Sequence, residues 1–163
     1  MDTLSPAMSA TVVLLLAFLI GIVSGLRSLT PSAVVAWAAH SGVVRLSGTV
    51  LAFMGNKWTA IVLTVLALAE LVTDKLPSTP SRTAPAGLIA RFVLGGLAGA
   101  SLAVAGHQAL YVGAILGAAG GVLGAFLGYQ VRKRAALQFP PIVVAIAEDV
   151  AAIVAAVVIA LRF

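Results

Sequence analysis

The chain has 163 residues, 61% hydrophobic and 9% charged, with a net charge of +5. Soluble domains carry about 25% charged residues, so this composition excludes a water-covered globule and makes lipid the solvent. The absence of cysteine excludes disulfides, thiolate metal sites and cysteine catalysis.

The length fits one all-α bundle of about six spans at roughly 20 apolar residues each. The N-terminal MDTLSPAMSA lacks a basic region, so a cleaved signal peptide is not expected. Span 1 is predicted from Ser9 to Leu29, with Gly21 and Gly25 as a GxxxG pair beside Ser24 and Ser28. Small faces let membrane helices approach closely; ordinary packing outweighs a dedicated dimer face. Arg27 ends this span, just before Thr30-Pro31. Pro31 disfavours helix at Thr30 and is expected to stop it.

Pro31 to Gly55 is apolar but holds His40, Ser41, Gly42 and Arg45. It reads either as one helix with Arg45 buried, or as a broken element with a half-helix over Pro31–Ala39 and the remainder over Val43–Gly55. Irregular backbone at membrane depth requires surrounding protein or a cavity. His40 reads more simply as a packed polar residue than as a ligand. Span 3 runs from Trp58 to Asp74, with Trp58 suited to an interface. Glu70 and Asp74 are four residues apart on one helical face. Asp74 is expected near the interface beside Lys75, which can snorkel to water, with Glu70 a turn deeper.

Residues 75–85, with three prolines and several hydroxyls, read as a linker between halves 1–79 and 80–163. Span 4 follows over Ala86–Ala105, with Arg91 inside it and His107 in the turn beyond. Span 5, Ala109–Gln130, carries Gly113, Gly117, Gly120, Gly121, Gly124 and Gly128 along one side. They continue along a helix with no preceding strand, which excludes a nucleotide loop. Arg132-Lys133-Arg134 closes the span and is expected to meet anionic lipid headgroups. Span 6, Pro141–Leu161, places Glu148 and Asp149 in an otherwise apolar run. A charge at the centre of a membrane helix costs roughly 2.5–3.5 kcal/mol on insertion scales, and such residues usually face a bundle interior.

In a six-span chain, Arg27, Lys75, Arg82 and Arg132–Arg134 share one side, against chiefly Lys57 and Arg162 on the other. The positive-inside rule makes the first side cytoplasmic. Both termini then face outward across the cell membrane, provided span 2 crosses once. The basic residues therefore report orientation, and nucleic acid is not an expected partner. The halves also look alike. Phe18, Gly21 and Gly25 match Phe92, Gly95 and Gly99; Gly48–Gly55 matches Gly121–Gly128; Ala67–Glu70 matches Ala145–Glu148. Three spans per half implies an inverted 3+3 repeat, which in transporters places sites at the repeat interface. Glu70 and Glu148 would be equivalent and could meet across a pseudo-two-fold axis, with Ala145, Ala151, Ala152 and Ala155 leaving room beside Glu148.

The residues Gly-Leu-Arg27 with Thr30-Pro31, Glu70-x-x-x-Asp74-Lys75-x-Pro77, Arg82, and the glycine-rich span followed by Ala147-Glu148-Asp149 resemble a bacterial integral membrane family described as a domain of unknown function. The resemblance covers nearly the whole chain and implies no activity. Longer members have more residues after the Asp-Lys-x-Pro motif.

Glu70, Glu148 and Asp149 are the candidate substrate- or ion-binding residues, with Arg27, Asp74, Lys75 and Arg91 as supporting charges and Arg45 as a further counter-charge. A small transporter or channel using these acids for a proton, cation or basic solute is one reading. A non-catalytic scaffold or lipid-interacting protein with structural ion pairs is the other. No cofactor is implied. With no HExxH or GxSxG motif, an intramembrane enzyme is the least favoured reading. The glycine stripes serve internal packing and homodimerisation equally well.

Overall fold

The computed structural model describes residues 8–74 and 84–163. Lys75, Pro77 and Arg82 lie outside them. The described residues form six α-helices: α1 (Ala10–Leu26), α2 (Thr30–His40), α3 (Lys57–Thr73), α4 (Pro85–Ala105), α5 (Leu110–Ala135) and α6 (Pro141–Ala160). The last three are long and apolar enough to cross a membrane. Helix α1 is equally apolar at 17 residues, and α2 has only 11. Valines, isoleucines and leucines stand exposed along α3, α5 and α6. A water-soluble monomer rarely exposes so much apolar surface.

The predicted second span is broken. Helix α2 ends at His40, and turns follow with Gly42 at φ +82° and Gly48 at φ +77°. A short 3₁₀ turn, Ala52–Gly55, then leads to α3. Asn56 caps α3 by accepting the Trp58 N–H at 2.8 Å. Val43–Gly55 is therefore no second half-helix, and its match to Gly121–Gly128 pairs a turn with unbroken α5. Arg45 is exposed in this loop, not buried. His40 hydrogen-bonds the Gly55 carbonyl through Nδ1 at 3.0 Å and meets the Trp37 ring edge-on.

Span 1 also ends earlier than predicted, at Leu26. Arg27 turns extended (φ −138°, ψ 111°), and Pro31 lies in the first turn of α2. Pro31 thus opens a helix, where its missing N–H costs nothing.

The core is a trio of α1, α4 and α5. Helix α1 runs antiparallel to α4 and parallel to α5: Gly106 abuts Val13 while Arg91 reaches Gly25, and Gly21 and Gly25 face Gly117 and Gly124. All six predicted glycines of α5 are buried. Gly117 stands where the three helices cross. A Cβ there would strike the backbone of Gly95 and Gly99, and a Cβ on Gly21 would strike Gly117. Helices α2 and α6 pack against the trio and each other, and α3 packs on α2. Trp37 donates to the Thr64 hydroxyl at 2.9 Å, joining α2 to α3. Ser32 donates to the Leu94 carbonyl at 3.3 Å, joining α2 to α4.

Candidate functional site

The break between α1 and α2 is where the charges gather. Arg27 has no exposed surface, and its guanidinium pairs with Asp74 at the end of α3 and with Asp149 of α6. Three helices thus meet on one side chain. An arginine suits this place because its planar fork can serve two carboxylates at once. Asp74, at the end of α3, turns its side chain inward to Arg27 and is only 16% exposed.

Glu70, one turn before Asp74, has a different task. Its Oε1 accepts the Ser28 N–H at 2.8 Å and the Ser28 hydroxyl at 2.7 Å, and its Oε2 accepts the Leu29 N–H at 2.9 Å. Helix α2 has no local side-chain cap. Glu70 supplies that cap from another helix, where the helix dipole favours a negative charge. Ser24 adds a bond to the Ser28 carbonyl at 3.1 Å. Arg91 is buried in α4; its Nε donates to the Gly25 carbonyl and its guanidinium to the Gly87 carbonyl, each at 2.9 Å. Gly25 lies in the last turn of α1, where a cation meets the negative end of the dipole.

The two acids of α6 point to different neighbours. Asp149 is buried on Arg27. Glu148 stands 3.7 Å from Arg132 of α5. It lines a cleft of about 540 Å³ between α5 and α6, with Leu26 beneath and otherwise apolar walls, Arg132 apart. Glu70 and Glu148 therefore engage separate partners and do not form the shared pocket that their alignment suggested. Ala145 and Ala152 are buried beside Asp149, whereas Ala147 and Ala151 face the cleft.

Arg27 Nε and the Thr30 hydroxyl are buried without a hydrogen-bond partner among the described residues. The carboxylates on Arg27 and on the α2 cap are already engaged. No group of three or more potential metal ligands occurs among the described residues. The residue that sequence reasoning undervalued is Arg27, taken as one of several counter-charges. Its place at a span end, directly before Ser-Leu-Thr-Pro, was the signal. Ser28 as a carboxylate donor had no signal of its own.

Residues 14–162 match the family model described as "Domain of unknown function (DUF4126)". The chain belongs to the DUF4126 family. No curated protein and no solved structure matches it. The match spans both the charge cluster and the glycine trio, so the DUF4126 region is the whole bundle, from α1 to the end of α6.

Proposed function

We propose that this DUF4126 protein is a non-catalytic, lipid-interacting protein of the cell membrane, whose intramembrane acids close a structural charge network. One observation carries the reading. Arg27 is wholly buried between Asp74 and Asp149, while both oxygens of Glu70 are taken by Ser28 and Leu29. The acids are committed to neutralising an arginine and capping a helix, the reverse of what a cation carrier needs.

The geometry gives a reason for this arrangement. Asp149 lies eight residues into α6, about 12 Å along its axis. Against a hydrocarbon core of about 30 Å, that is near the middle. Arg27, paired with it, places the α1–α2 elbow at the same depth. Helix α2, about 16 Å long, then turns back beside the C-terminal end of α6, toward the side where α1 begins. An elbow in hydrocarbon exposes unpaired backbone N–H groups, each costly there. Glu70 and Arg91 satisfy them and the facing carbonyls.

Six membrane-embedded segments arranged three plus three, with both termini outward, accompany this reading. Its support is that α3 and α6, the third helix of each half, each deliver an acid to Arg27. Since the chain has no cysteine, the orientation can be read from single-cysteine variants. V50C should label from outside intact cells and L137C only after permeabilisation; the reverse pattern rejects it.

A second reading, a proton or cation carrier, is favoured by one feature: Glu148 faces the cleft. Proteoliposome flux and thermal unfolding separate the two. We expect no flux above protein-free vesicles, and lowered unfolding temperatures for D149N and E70Q. Flux abolished by E148Q with an unchanged unfolding temperature would establish the carrier instead.

A further inference from the structure

The cleft between α5 and α6 has the form of a site for one lipid tail with an anionic group above it. Leu127 and Val131 of α5 face Val143 and Ala147 of α6, and Leu26 closes the bottom. From Val143 to Ala151 the α6 wall runs about 12 Å, close to one leaflet of a roughly 30 Å core. Its volume of about 540 Å³ falls within the approximately 300–1,000 Å³ of ligand pockets.

The charge at its edge is asymmetric. Arg132 is 30% exposed on its side chain, and its distance of 3.7 Å from Glu148 is too long for a hydrogen bond. Lys133 and Arg134 follow it, both exposed. An arginine pairs with phosphate through two parallel N–H bonds, so Arg132 has donors to give to a phosphate drawn to the cleft.

We propose that this cleft binds a single anionic phospholipid from the leaflet on the Arg132 side, its phosphate on Arg132 and one acyl chain between α5 and α6. The inference rests on the lipid-interacting reading and adds the place, the stoichiometry and the charge preference.

Native mass spectrometry of the intact chain tests it, with dioleoyl phosphatidylglycerol or dioleoyl phosphatidylcholine added to the detergent. The expected result is one retained phosphatidylglycerol per chain, preferred roughly fivefold over phosphatidylcholine, the scale of one basic residue near a charged headgroup. R132Q should erase the preference. A147F should lose the lipid while eluting as the wild type does. Should A147F misfold, V143C blocked with a bulky maleimide after folding provides the same obstruction. Phosphatidylglycerol retained equally by wild type, R132Q and the blocked protein places binding elsewhere and overturns the proposal. Equal retention of both lipids by the wild type overturns the charge assignment. Retention of neither lipid by the wild type removes the lipid-interacting reading itself.

Discussion

The α1–α4–α5 trio and the α2–α3–α6 rim solve the same problem with different forces. Lipid tails are as apolar as leucine, so burying side chains gives membrane helices little reason to associate. The trio responds by removing side chains: glycines bring backbones into direct contact over the length of α5. The rim responds with charge, since α3 and α6 converge on Arg27. The first device tolerates no added atom. The second tolerates substitution only when whole pairs are exchanged. Between α5 and α6, where no glycine contact and only the long Arg132–Glu148 pair is seen among the described residues, the bundle opens into an apolar cleft.

The most damaging test of this contrast is G117V. Its new methyls would meet the backbone of Gly95 and Gly99, which cannot rotate away. A loss above about 4 kcal/mol is expected, seen as aggregation in place of a monodisperse elution peak. R27M comes next. It leaves Asp74 and Asp149 facing each other in a buried place, and stranding one side of a buried ion pair costs about 3–5 kcal/mol. The triple variant R27M/D74L/D149L should recover part of that loss in thermal unfolding. If R27M alone is neutral, the rim is not held by charge.

These two positions also mark how far the sequence was legible. The glycine stripe was plain, because a residue recurring every three or four positions identifies a helix face without any partner in view. The all-helical class followed from composition, whereas the second span read equally as one helix or as a broken element. The pairing of charges was not legible. Glu70 and Glu148 occupy similar sequence contexts, Ala-x-Ala-Glu in each half, yet one caps α2 and the other faces a cleft. That difference comes from where α1 stops. Helix α1 stops at Leu26, directly before the arginine that pairs with two distant carboxylates, and no local pattern encodes a contact 47 or more residues away.

A smaller effect is expected at Glu70. E70A removes the acceptor for the Ser28 and Leu29 N–H groups and should cost about 1–3 kcal/mol, with faster hydrogen exchange confined to the first turn of α2. E70Q retains one carbonyl oxygen and should fall between E70A and wild type. Equal exchange at Ser28 and Leu29 in all three proteins would show that the cap is not what holds the elbow.

The smallest effect should come from Glu148, although it neighbours Asp149 in the chain. Its carboxylate stands 3.7 Å from Arg132, beyond hydrogen-bond range, so a neutral amide should cost less there than at Asp149 against Arg27. Asp149 faces the opposite way, into Arg27. E148Q and D149N are therefore a matched pair: adjacent residues, the same chemical change, and different sides of α6. A clearly lower unfolding temperature for D149N than for E148Q would show that the rim is held from inside the bundle. Equal losses would mean that the α5–α6 contact carries as much of α6 as Arg27 does, and the division between a charge-held rim and an open cleft would disappear.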